Sequence, residues 1–488
     1  MSVHEPYSEP PPALANPRPR HLAGFLGPGI IIASVTIGSG ELLLASRSGA
    51  VFGHTMFWCF LIAGFFKGLQ VYTAARHLTL TGEHPLESWK KIPYLPHVFP
   101  LVIAIPTVMV MPIAFSGISE ALGGYLHQLL DAPVDNASGG TWDTVEWREN
   151  IWATVTLVTC VTLACFSSGK ILEWVSTVVI FVLLVCICIS VAISTPDLWS
   201  SIKGLFYPIV NDYPHWVKSQ YPDSFQGRSP WLEVALYLTA VGGGTYDYVG
   251  YIGMLRERSW GRCNQGAISR DDLEAVFSTD SDRSRQQLQY ATCWLRAPLM
   301  DISISFTLVI IVTLLFALLG AELLHPRQLV PAGHDLLFQQ ERFLGQLSQS
   351  LIWVYRVGVL LAFMGTLYGA FEVYYYTISE LSRALLGRWH VLCSGMIRPL
   401  TICYCFLGGL TMMWLPKSLA GDVVSRMTFG AVFGGALSCG LWCFAMIWSD
   451  YSELPKSLRM HPVLLVLLFV AGLVMTGLGV QTLIAYFG

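Results

Sequence analysis

Two acidic side chains stand beside glycine clusters inside apolar runs of this 488-residue chain. Glu41 closes the stretch Gly38-Ser39-Gly40-Glu41, with Thr36 just before it, and Asp247 follows Gly242-Gly243-Gly244-Thr245 by one turn. Glycines weaken a helix, and a weakened helix in a membrane frees backbone carbonyls where they line a cavity. A carboxylate at that depth costs several kcal/mol, so it must face a cavity, a cation or a partner. The chemistry this points to is an oxygen-rich cation site. Its carboxylates would come from Glu41 and Asp247, its hydroxyls from Thr36, Ser39 and Thr245, and its carbonyls from around Gly38, Gly242 and Gly243. Two carboxylates around a divalent cation offset its charge, whereas without one they repel and one protonates. A plainer reading stands beside this one: glycine-kinked packing helices, with Glu41 paired to a basic residue and Asp247 bonded to Tyr246, Tyr248 or a helix terminus.

The elements that must carry these residues follow from composition. The chain is 53% hydrophobic and 12% charged, with mean hydropathy +0.54, far from a soluble domain. Eleven apolar spans are expected, at about 23–46, 51–75, 97–125, 150–168, 171–195, 230–255, 297–321, 350–382, 396–416, 425–448 and 462–486. Span 1 opens the first five helices and span 6 the next five, and both are interrupted by glycines. Such paired interruptions mark an inverted-repeat transporter. The expected fold is therefore an all-α polytopic membrane protein with a five-plus-five, LeuT-like inverted repeat and broken helices 1 and 6. The repeats would cover about 22–195 and 230–448, with an extra helix at 462–486.

Residues 1–21, rich in proline and polar groups, read as a disordered tail. With the amino terminus inside, inner segments hold about 18 of the 29 Lys and Arg residues and outer segments about 9, with Lys67 and Arg356 inside spans. That bias places the amino terminus in the cytoplasm and the carboxyl terminus outside. Most cysteines fall in spans, no Cys-x-x-Cys pair or His-x-x-x-His spacing marks a bound metal, and no P-loop or nucleophile elbow marks ATP use or hydrolysis. No basic stripe suggests nucleic acid. Glu120, Asp301 and Glu372 are further acids within spans and, with Arg356, form either an ion relay or separate structural ion pairs. Glu173 and Glu380 lie near inner span ends, where a salt bridge closing a gate or a helix cap would use them.

Several short motifs, in order, resemble the Nramp family (natural resistance-associated macrophage proteins). Gly27-Pro28-Gly29 and Ile32-Ala33-Ser34 resemble the start of its first helix, and Gly38-Ser39-Gly40-Glu41 occupies the place of its Asp-Pro-Gly-Asn. Ala75-Arg76 through Thr81-Gly82 is similar to the end of its second helix, Glu120-Ala121-Leu122-Gly123 to the Glu-x-x-Gly of its third, and Lys170-Ile171-Leu172-Glu173 to the start of its fifth. The departures fall on the chemistry. The family's ligating Asp is Gly38 here and its Asn is Glu41; Gly243-Gly244-Thr245 replaces its Met-Pro-His; and the Asp linked to proton movement is Gly117. The resemblance implies a divergent branch, as the Nramp-related magnesium transporters are.

The implied function is secondary-active transport of a divalent metal cation (Mg, Mn or Fe type) by alternating access, not enzymatic catalysis. Loss of the thioether and gain of two carboxylates move the expected site toward hard oxygen ligands. The cation is substrate, no cofactor is expected, and a proton or sodium ion is the candidate coupling ion. A monomer in the plasma or inner membrane is expected. The alternative is a carrier of the same fold for a small organic solute such as an amino acid.

Overall fold

The computed structural model describes residues 5–15, 23–36, 42–130, 144–166, 178, 181, 184–185, 187–192, 196–278, 281–330, 337–338, 341, 349–416, 419, 421 and 423–487. The described residues form helices and connecting segments without strands. Seven helical runs among them are long and apolar enough to cross a membrane. The other expected spans have specific reasons for standing outside that set. Of span 1 the structure describes α1 (Pro28–Thr36), with α2 (Ser46–Phe52) following beyond residues 37–41, which lie outside the described set. Span 6 is divided into α6 (Pro230–Ala240) and α7 (Thr245–Met254), and each of these four helices is too short to cross alone. Span 4 is a 23-residue helix, α5 (Thr144–Phe166), with three charged residues in its first turns. Span 5 falls mostly outside the described residues. The uninterrupted helices are α3 (Phe57–Thr81), α4 (Val98–Leu130), α8 (Arg296–Leu319), α9 (Gln349–Leu386), α10 (Arg388–Trp414), α12 (Ser438–Glu453) and α13 (Pro462–Phe487). The tenth span begins with α11 (Val423–Gly430) and reaches α12 through a wide π-helical turn, Ala431–Leu437.

The half-helices are placed by their ends. Pro28 opens α1 with a backbone angle already suited to a helix. The Asp301 carboxylate of α8 accepts hydrogen bonds from the free amides of Gly27 (3.0 Å) and Gly29 (2.9 Å), and from the Tyr251 hydroxyl of α7 (3.0 Å). A negative group at this end also complements the helix dipole. Side chains have no room here: a Cβ on Gly29 would lie 2.6 Å from Ser305 Oγ, and one on Gly27 would lie 2.6 Å from the Arg258 guanidinium. Arg76 of α3 is buried against Asp450 of α12 at 2.8 Å, so the Ala-Arg motif at the end of the second span fastens the two helices.

The tail departs from the expectation of disorder. Residues 5–15 lie against the connection between α7 and α8. Tyr7 (1% exposed) donates its hydroxyl to the Leu80 carbonyl at 2.9 Å, and its backbone exchanges hydrogen bonds with Gln287 at 2.9 and 3.2 Å. Arg262, Trp294 and Arg296 donate to the carbonyls of Pro6, Ser8 and Leu14. A proline-rich strip makes few internal hydrogen bonds, which leaves its carbonyls for neighbours to use. Truncating the buried aromatic ring in Tyr7→Ala should cost about 3 kcal/mol of local docking. Limited proteolysis within residues 5–15 should then accelerate by about a hundredfold while helical content stays unchanged.

Candidate functional site

The interruption of the sixth span is sharp. Gly242 and Gly243 both adopt left-handed backbone angles (φ +69° and +67°), which disfavour any residue with a side chain. A Cβ on Gly242 would also lie 2.6 Å from the Phe306 ring. The chain leaves α6 at Val241 and restarts as α7 at Thr245, with Gly244 extended between. Asp247, in the first turn of α7, accepts a hydrogen bond from the Gly244 amide through Oδ2 at 3.0 Å. That is the helix-terminus role of the plainer reading, and it uses one oxygen. Its Oδ1 is buried and has no hydrogen-bond partner among the described residues.

A cavity of about 80 Å³ lies at this point, and Asp247, Gly243 and Thr36 share its wall. The end of α1 and the break of span 6 therefore meet at this cavity. The Thr36 hydroxyl donates back to the carbonyls of Ala33 and Ile32 (3.0 and 3.2 Å), which leaves its lone pairs as acceptors. The expected ligands Gly38, Ser39 and Glu41 lie outside the described residues. Across the cavity stand Tyr246, Tyr374 of α9 and Met427 of α11. Met427 places a methionine side chain on the wall beside these oxygen-bearing residues.

Two other expected ligands are placed elsewhere. Thr245 is buried beneath the π-helical turn, with its hydroxyl 3.5 Å from the Gly434 carbonyl, and Gly242 is turned toward Phe306. The freed carbonyls of Val241 and Gly243 are already taken by the ammonium of Lys67. Nor do the acids proposed as a relay bond to one another. Glu120 binds Arg426 of α11 at 2.5 and 2.7 Å, Asp301 caps α1, Glu372 pairs with Arg398 of α10, and Arg356 pairs with Glu341 at 2.6 Å. Each has its own local partner, which is the structural alternative. Among the described residues no three His, Cys, Asp or Glu side chains converge as a metal cluster.

Charged groups fasten both ends of the sixth span. At its start, buried Glu233 of α6 binds Arg47 of α2 at 3.1 and 3.2 Å, takes the Tyr237 hydroxyl at 2.9 Å, and has Arg228 at 3.4 Å. At its end, Arg256 bridges Glu380 of α9 (2.8 Å) and Glu87 (3.0 Å). Glu380 thus makes the salt bridge expected near a span end, while Glu173 lies outside the described residues. Beside Arg256, burial pushes His84 down to about 3, so its neutral ring accepts a hydrogen bond from the Leu86 amide.

Sequence reasoning missed Lys67, Met427 and the π-helical turn. Lys67 was visible as a lone ammonium inside an apolar span. The glycine run Gly430, Gly434 and Gly435 was the available signal for the turn, whose close backbone approach leaves no room for a Cβ on Gly435, 1.9 Å from Thr239 Oγ1.

Residues 29–216 match the family model described as natural resistance-associated macrophage protein-like (Nramp). No curated protein is significantly similar to the chain over its sequence. In fold, the chain is similar to a manganese transporter of Eremococcus coleocola solved in complex with an aromatic bis-isothiourea substituted compound. That similarity has a TM-score of 0.58 and 17% identity, covering 96% of this chain and 88% of that one. A single-residue variant of the same transporter gives a TM-score of 0.59 and 17% identity over 99% and 90% of the two chains. The chain thereby shares the all-helical fold of that transporter, with the sixth span broken, and is an integral membrane protein.

Proposed function

From the premise that the chain is Nramp-related, we propose that it is a secondary-active carrier of a divalent metal cation, working by alternating access, and not an enzyme. One observation carries the reading: a buried carboxylate oxygen of Asp247, without a partner among the described residues, on the wall of a cavity where the end of α1 meets the break of span 6. In hydrocarbon an unsatisfied carboxylate is too costly to keep without use. The ligand set is Asp247 and Thr36, joined by Glu41, Ser39 and the backbone of Gly38 from the first interruption. Met427 at the wall supports a cation that tolerates a soft ligand, manganese or iron over magnesium. The ion pairs at Glu233 and Arg256 serve as the outer and inner closures, with the amino terminus cytoplasmic.

The largely apolar remainder of the wall, including Val110, Ile113, Leu236 and Ala370, favours a second reading, a carrier of a small organic solute such as an amino acid. Uptake into proteoliposomes across Mg, Mn, Fe, Ca and a set of amino acids separates the two. The expected result is saturable Mn or Fe uptake, reduced at least tenfold in Glu41→Gln, with little response to an imposed pH gradient because Gly117 stands where the family has an acid. Uptake of amino acids without metals would reverse the assignment.

A further inference from the structure

Lys67 lies near the middle of α3, nine residues before its other cation, Arg76, and is 0% exposed. Three carbonyls converge on its ammonium: Gly243 at 2.5 Å, Leu238 at 2.7 Å and Val241 at 3.2 Å. All three belong to the point where α6 ends. The carbonyls of a final turn lose their intrahelical partners, and together they form the negative end of the helix dipole. A carbonyl only accepts, so three such bonds need three N–H donors on one nitrogen. A neutral amine has two; only the ammonium satisfies the arrangement. Gly243 is the hinge of the geometry. Its carbonyl holds Lys67, while the position of its missing Cβ is 2.0 Å from Asp247 Oδ2, so cation and carboxylate flank a single residue.

Unwound carbonyls and half-helix carboxyl-terminal ends are where interrupted-helix carriers coordinate a coupling ion. We propose that Lys67 is a tethered cation that fills this carbonyl cluster, so that the break in span 6 takes no free sodium and is held in its unwound form by the lysine itself. The cluster is a site for a small monovalent cation whose occupant is built into the chain. Removing the side chain should turn it into a site for a free one. The inference does not depend on which solute is carried.

The test is thermal unfolding of the purified full chain at constant ionic strength, which involves no transport. Wild-type protein should unfold at the same temperature in sodium chloride and in N-methylglucammonium chloride. Lys67→Ala should unfold several degrees lower, and n-propylammonium, which matches the deleted atoms, should restore part of that loss saturably where tetramethylammonium does not. Lys67→Met keeps the bulk of the stem without the charge and should fall by a similar amount. Wild-type stability that rises saturably with sodium would overturn the proposal, and that arm needs no variant. It also fails if Lys67→Met is as stable as wild type, or if n-propylammonium leaves Lys67→Ala unchanged.

Discussion

Asp247→Asn protein is expected to fold as wild type does and to bind its divalent cation at least tenfold more weakly. The amide keeps the shape of the side chain and an oxygen to accept from the Gly244 amide, so the cap at 3.0 Å can persist. What it removes is the formal charge on an oxygen that is buried at the cavity wall with no partner among the described residues. Losing a direct carboxylate ligand to a divalent ion should cost at least about 1.4 kcal/mol, which is the tenfold. Isothermal titration with manganese on folded wild-type and variant protein reads the difference. Equal affinities would confine Asp247 to capping α7 and remove the observation on which the cation reading rests.

Glu233→Ala should be the most destabilising single change. Glu233 is 0% exposed and is held by Arg47, Tyr237 and Arg228. Deleting it leaves the Arg47 guanidinium buried without its counter-charge, and breaking a buried pair in this way costs about 3–5 kcal/mol. Arg47→Met is expected to cost less, because Arg228 and Tyr237 remain to satisfy the carboxylate. The ordering, and not only the size, is the prediction. Unfolding midpoints in detergent would show it, and an Arg47→Met variant weaker than Glu233→Ala would mean that Arg228 contributes nothing to the pair.

The parts of this site that could be read in the sequence were those encoded by neighbours in the chain. Three successive glycines and an acid one turn on gave the break of span 6 and the position of Asp247. Rotation about a helix axis explains where Thr245 lies. Two residues apart on a helix is about 200°, so when Asp247 looks into the cavity Thr245 must look away, and it finds Gly434 instead. Tertiary partners left no local mark. Met427 reaches the cavity from a span nearly two hundred positions away, and Lys67 was set apart only as a cation inside a span, when its three carbonyls belong to another helix. The tail was misread because composition measures how poorly a segment packs on itself. It is silent on whether Gln287, Trp294 and Arg262 will bind the segment's backbone.

The Asp301 carboxylate constrains how this molecule can rock. One side chain on α8 holds the first amides of α1 and the Tyr251 hydroxyl of α7, so the two half-helices on that side share a single anchor point. Swinging α1 away alone takes two amide donors from the carboxylate, and swinging α7 away alone takes its hydroxyl donor, so either motion costs hydrogen bonds in the dry interior. The three helices are thus tied together at one side chain. The left-handed glycines at 242 and 243 lie between that anchored α7 and α6, so the turn joining the two half-helices depends on backbone angles that only glycine adopts readily.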